Sequence, residues 1–236
     1  MTLRPLPERL HRWAVSPQEA MAIQARLRVW VRQEWQPPAA GVRRVAGIDV
    51  GVKKEVSRAA VVVPSYPALE LLEVALAEAP TSFPYVPGLL SFREAEVVLA
   101  ALARLNLEPD LLVFDGQGVA HPRRLGIAAH VGVLLDRPTV GCAKSRLWGA
   151  HREPGQAKGD YALLYDGDEV IGAVVHTRRG IRPVYVSVGH RIDLARSIDY
   201  VLGCCSRYRL PEPIRLAHRA ASRQPSFVIT RGGGES

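Results

Sequence analysis

A chain of 236 residues, 47% of them hydrophobic, can bury the core of a single α/β domain, and we expect one domain with its core at about 16–222. Its formal charge of +8 favours a polyanionic partner or substrate such as nucleic acid, and no apolar run reaches the roughly 18 residues that a membrane span requires. Cys142, Cys204 and Cys205 lack the spacing of a zinc knuckle or a disulfide framework, so we expect reduced core thiols in a cytoplasmic protein with no membrane partner.

In chain order, Ser16-Pro17-Gln18-Glu19 combines an N-cap serine, a proline in the first turn and a capping-box glutamate. It predicts a helix that buries Ile23, Leu27, Trp30 and Val31 and ends before Pro37-Pro38. Strands follow at about 45–50, 58–63 and 71–77, with connections short enough for an antiparallel meander. A proline-rich loop, Pro80 to Gly88, leads to Ser91-Phe92-Arg93-Glu94, a second capping box. The helix it opens runs through about Asn106 and buries Val97, Val98, Ala101, Leu102 and Leu105. A crossover of that length returns the chain to the sheet, laying strand 111–114 parallel to an earlier one with the usual right-handed connection.

Further on we expect a helix near 125–136, a strand near 138–142, and a hairpin of Tyr161–Tyr165 and Val170–Thr177 through Asp166-Gly167-Asp168-Glu169. A strand at 184–188 and helices near 193–203 and 212–222 complete the domain, before a disordered tail at about 230–236. The order of three strands, a helix, a strand, a helix and a strand is that of the ribonuclease H-like fold, an α/β architecture with a mixed β-sheet flanked by helices.

Three acids stand out in that frame. Asp49 ends the run Val45 to Ile48, Asp115 ends Leu111 to Phe114, and Glu94 opens the helix between them. If the two strands are neighbours, these carboxylates converge at one sheet edge. Like charges so close raise one another's pKa unless a divalent cation fills the gap, which points to metal-dependent phosphoryl transfer. Glu94 carries a second reading, because a glutamate three residues after Ser91 is also what a capping box uses.

The segments Phe83 to Glu94 (FPYVPGLLSFRE), Phe114 to Arg123 (FDGQGVAHPR) and Gly141 to Leu147 (GCAKSRL) closely resemble the motifs of the endonuclease V family. Val186 to Arg191 and Arg209 to His218 resemble that family's C-terminal half, so the likeness runs from about 16 to 222. It implies an endonuclease of DNA repair that recognises deaminated adenine, that is hypoxanthine in deoxyinosine or inosine. Such an enzyme hydrolyses the second phosphodiester 3′ to the lesion and leaves a 3′-hydroxyl and a 5′-phosphate. The implied cofactor is Mg2+, for which Mn2+ can substitute. The implied partner is DNA containing deoxyinosine, with inosine-containing RNA as the alternative, and we expect a monomer.

Residue by residue, the resemblance assigns Asp49, Asp115 and Glu94 to the metal, Lys144 to the substrate phosphate, and His218 to the metal centre, directly or through water. Pro84-Tyr85-Val86-Pro87 matches a wedge whose ring replaces the everted nucleotide in the stack. Gly88, Leu90, Gly116 and His121 match a base pocket built largely of backbone groups. Arg93, Arg123 and Arg146 are candidate phosphate contacts. Val188 stands where the family pattern has proline, and we read His190 beside it as structural.

Two rival classes use the same residues. Gly47-Ile48-Asp49-Val50-Gly51 resembles the first phosphate loop of sugar kinases and actin, a short motif that leaves Tyr85, Lys144 and His218 without a role. A non-catalytic reader of deaminated bases would have no need of all three acids.

Overall fold

The computed structural model describes residues 11–222, and the expected tail at about 230–236 lies outside them. After helix α1 (Pro17–Leu27) come strands β1 (Val45–Lys53), β2 (Val56–Pro64) and β3 (Leu71–Pro80), then helix α2 (Leu90–Leu102) and strand β4 (Leu111–Phe114). Helix α3 (Ile127–Leu135), strands β5 (Thr139–Ala143), β6 (Tyr161–Asp166), β7 (Glu169–Val175) and β8 (Val184–His190), and helices α4 (Leu194–Gly203) and α5 (Glu212–Ala221) follow. The strands form one sheet in the order β3-β2-β1-β4-β5-β8-β7-β6. The first three are the expected antiparallel meander, while β4 runs parallel to β1 and β5 parallel to β4.

Alternation along β1 divides the core. Ala46 and Ile48 face one side with Leu112 and Phe114, under Val98 and Leu102 of α2 and Ile127 and Val131 of α3. Val45 faces the other with Leu111 and Val113, under Ile198 and Val201 of α4 and Ile214 of α5. Ile48, Phe114, Leu112 and Ile214 are fully buried, each contributing roughly 1.5–3 kcal/mol relative to exposure. Helix α5 also covers β2, where Ala217, Ala220 and Ala221 pack on Ala60 and Val62.

One close approach sets the position of α5. A Cβ at Gly47 would lie 2.1 Å from the backbone carbon of Pro213, so only glycine lets the start of α5 rest directly on β1.

Several expectations are corrected. The capping box at Ser16 and Glu19 forms, but α1 stops at Leu27 and tightens into a 3-10 turn over Arg28–Trp30, leaving Trp30 60% exposed. The box at Ser91 and Glu94 does not form. Helix α2 starts one residue before Ser91, with Leu89 at its N-cap and no side-chain cap, and the buried Ser91 hydroxyl instead pairs with His130 Nδ1 at 3.0 Å. The helix also ends at Leu102, short of Asn106, because Glu73 on β3 accepts from the backbone N–H groups of Asn106 and Leu107, each at 2.8 Å, and holds them in a loop.

Strands β1 and β2 run on to the pair Lys53 and Val56 through a tight turn in which Lys54 and Glu55 both have positive φ, of 50° and 60°. Such a turn ordinarily announces itself by Asn-Gly, and Lys-Glu hides it. The three cysteines are buried free thiols, whose pKa values burial raises. His190 Nε2 meets Asp136 Oδ1 at 3.0 Å and its Nδ1 accepts from Arg32 N at 3.2 Å, in line with a structural role. Among the described residues, no helix is long and apolar enough to cross a membrane.

Candidate active site

Parallel pairing of Ile48 with Phe114 makes the next residues of the two strands, Asp49 and Asp115, neighbours, and Asp115 N donates to Ile48 O at 3.0 Å. Helix α5 reaches them from the opposite side of the sheet to α2, and His218 Nδ1 donates to Asp49 Oδ2 at 2.7 Å. Lys144 leaves the end of β5, the other neighbour of β4, and its ammonium contacts Asp115 Oδ2. Asp49, Asp115 and His218 can each offer one ligand atom such that all lie within 4.8 Å of one another.

The electrostatics are those of crowded acids. Burial raises the pKa of Asp49, the Asp115 charge raises it further, and His218 and Lys144 oppose the shift. Glu94 lies outside the tight three-residue group, yet its carboxyl is pushed up to about 8, first by burial and then by the charge of Asp49, with Asp115 adding and Arg93 opposing. Hard oxygen donors in mutual repulsion suit a divalent cation, which would remove the penalty that keeps these groups from ionising together. Since Glu94 caps nothing, its carboxylate is available to this group.

Beside Asp115 lies a cavity of about 290 Å³, and Tyr85, Pro87, Gly88, Leu90, Gly116 and His121 all line it. Pro84 is exposed and is not part of that wall. Tyr85 stands at the edge, 72% exposed, on a loop pinned below by buried Phe83, whose carbonyl accepts from Arg93 Nη1 at 2.7 Å. Arg93 therefore braces the loop.

Gly88 is held by a buried network that the motifs alone do not reveal. Its carbonyl accepts from Gln24 Nε2 at 3.0 Å, Arg123 Nη2 at 3.0 Å and His121 Nε2 at 2.8 Å. Burial lowers the His121 pKa to about 4, so the ring is neutral, donates through Nε2, and accepts at Nδ1 from Arg123 N at 3.1 Å. Arg123 Nε in turn donates to Gln24 Oε1 at 2.6 Å. Arg123 thus turns inward and is withdrawn as a phosphate contact, whereas Arg146 stays exposed at the cavity. Gly88 has φ +79°, a backbone conformation that favours glycine, and a Cβ there would press on the Arg123 guanidinium at 2.9 Å.

Gln24, fully buried on α1, is the residue that the motif reading missed. Its signal was present: an amide on the apolar face of an amphipathic helix needs a polar partner. Gln117 was missed as well; it lines the cavity and donates from Nε2 to Ser145 O at 3.0 Å.

Comparison with known proteins agrees with this arrangement. The family profile of endonuclease V matches residues 25–219. The chain belongs to the endonuclease V family. An endonuclease V from Nostoc sp. is 52% identical over 218 residues, covering 91% of this chain and 97% of its own. The crystal structure of endonuclease V from Streptomyces avermitilis superposes with a TM-score of 0.84 at 41% identity, over 94% of this chain and 97% of that one. Ciona intestinalis endonuclease V, solved in complex with a 24mer DNA containing an inosine followed by a ribo-adenosine, superposes at 0.76 with 27% identity, over 87% of this chain and 96% of that one. As a member of the endonuclease V family the protein is a nuclease, and the expected mixed sheet flanked by helices is the fold it shares with these structures.

Proposed function

We propose that the chain acts alone, as a monomer, on DNA containing deoxyinosine, and cuts the second phosphodiester 3′ to the lesion to leave a 3′-hydroxyl and a 5′-phosphate. RNA containing inosine is a second substrate. The observation that carries this reading is the cluster of Asp49, Asp115, His218 and Lys144, of which Asp115 and Lys144 line a cavity rimmed by an exposed tyrosine. Neither a kinase nor a silent reader is supported by a chain that matches endonuclease V over most of its length.

Asp49, Asp115 and Glu94 would hold magnesium, or manganese in its place. When bound, the cation supplies charge neutralisation at the scissile phosphate and activation of water. The protein's own groups do the rest. The Asp49 carboxylate orients the His218 ring through Nδ1, which leaves Nε2 free to ligate or to hold a water. Lys144 is placed by Asp115 to meet the phosphate with a compact ammonium. Tyr85 fills the space vacated by the everted nucleotide, offsetting part of an unstacking cost of a few kcal/mol. Backbone groups of Gly88 and Leu90 are suited to read the hypoxanthine edge, whose N1–H and O6 adenine does not offer.

The test is a single labelled inosine in matched DNA and RNA strands, incubated with magnesium and mapped to the nucleotide. We expect one cut, at the second phosphodiester on the 3′ side, in both strands. A cut elsewhere, or equal cutting of strands without inosine, would refute the assignment.

A further inference from the structure

A second cavity, of about 530 Å³, adjoins the base pocket. Lys144, Ser145 and Arg146 line both and so form the wall between them.

Sheet register builds the rest of its walls. Ala143 pairs with Tyr185 across β5 and β8, which sets Arg182 and Pro183, on the approach to β8, beside the segment that leaves β5. Arg209, between α4 and α5, ties the two together, its Nη2 donating to Lys144 O at 2.6 Å and to Pro183 O at 2.7 Å. This is a clamped, preformed groove rather than a chance meeting of flexible side chains.

Its chemistry is cationic and aromatic. Arg146 and Arg182 are exposed and make no ion pair among the described residues, and Glu153 is the one acid on the wall. Guanidinium groups left without carboxylates on a chain of charge +8 are open to phosphodiesters. On the same wall the His151 and Tyr185 rings meet edge to face, with centroids 5.8 Å apart and planes at 65°. His151 Nδ1 donates to Arg152 O at 2.9 Å, which steadies the ring. A basic groove with an aromatic pair is the combination that binds single-stranded nucleic acid through phosphate contact and stacking.

We infer that this cavity is a nucleotide subsite for the substrate strand on the 3′ side of the cut, with a phosphodiester on Arg146 and Arg182 and a base against His151 and Tyr185. The inference rests on the reading in the preceding subsection. A strand with its lesion in the base pocket and its scissile phosphate at Lys144 and Asp115 continues in the 3′ direction, and this groove opens on the far side of the Lys144 wall.

The experiment compares wild type, Arg182→Ala and Arg182→Lys on three inosine strands: long on both flanks, trimmed to one nucleotide 3′ of the cut, and trimmed on the 5′ flank. Kd is measured against salt with divalent metal omitted, and KM with magnesium present. On the long strand, Arg182→Ala should weaken binding about tenfold and reduce the slope of log Kd against log salt by about one, while Arg182→Lys keeps the slope. The deficit should vanish on the 3′-trimmed strand and persist on the 5′-trimmed one. Unchanged affinity and slope on the long strand, or a deficit that vanishes only with 5′ trimming, would overturn the subsite. Failure of wild type to cut any inosine strand would overturn the activity itself, and the metal-free binding series tells the two apart.

Discussion

His218 and Asp49 stand 169 positions apart in the chain, yet His218 Nδ1 donates to Asp49 Oδ2 at 2.7 Å. The bond depends on α5 resting on β1, and therefore on Gly47, where a Cβ would fall 2.1 Å from Pro213. Gly47→Ala should push α5 off the strand. We expect a loss of stability of about 1–3 kcal/mol, the usual range for overpacking, together with a fall in cleavage larger than the fall in folded fraction. Denaturant titration alongside activity at saturating substrate checks both; unchanged cleavage by a folded variant would show that the contact is not needed.

Asp49→Asn and Asp115→Asn remove one carboxylate charge each without changing shape. Either should keep inosine binding within a few-fold while lowering the single-turnover cleavage rate by at least about a hundredfold, as expected for losing a preorganised charge at the reacting phosphate. Wild-type cleavage by either variant would exclude that residue as an essential ligand.

Gln24→Met keeps the volume of a buried side chain and removes its three hydrogen bonds to Gly88 O, Leu125 O and Arg123 Nε. Binding to unmodified strands should hardly change, since no phosphate contact is lost. The preference for inosine over adenosine should narrow by about tenfold, as Gly88 loses one of the donors that fix its carbonyl. Equal preference in variant and wild type, measured by competition binding, would remove Gln24 from the recognition machinery.

Tyr85→Ala truncates an exposed ring on a braced loop and leaves the acids untouched. Duplex inosine should bind about tenfold more weakly, in keeping with the loss of one base–aromatic stack, while inosine in an unpaired strand suffers less. Identical behaviour on duplex substrate would reject the wedge.

Two buried histidines should each cost the folded state stability as pH falls below about 6.5. Burial lowers the folded pKa of His121 to about 4 and of His130 to about 3. With the folded values below the unfolded ones, the unfolded chain binds more protons between them. Stability is therefore complete above the unfolded pKa and drains away as pH drops, by up to about 1.4 kcal/mol per pH unit for each histidine. Glu94, with a folded value of about 8, and Asp49, also raised, act in the opposite sense over the same range, so the deciding readout is the rings themselves: NMR should find both neutral at pH 5, and a charged His121 or His130 there would contradict their burial.

Local signals were enough for much of this molecule. Alternation and turn chemistry located the strands, and an acid at the end of each of two apolar runs placed Asp49 and Asp115 side by side once a single crossover was assumed. Tyr85, Gly88, Leu90, Gly116 and His121 were legible because they sit in contiguous motifs, and all five line one cavity. Ser91 misled, since a capping box and a buried hydroxyl paired with His130 read the same in one dimension. The partners of Gln24 and the inward turn of Arg123 were beyond reach for a related reason: they are set by hydrogen bonds across 64 and 99 positions. A side chain's periodicity says which way it faces; what it meets there depends on how distant elements stack, and only the packing of α1 against the Gly88 loop, and of α5 against Gly47, decided that.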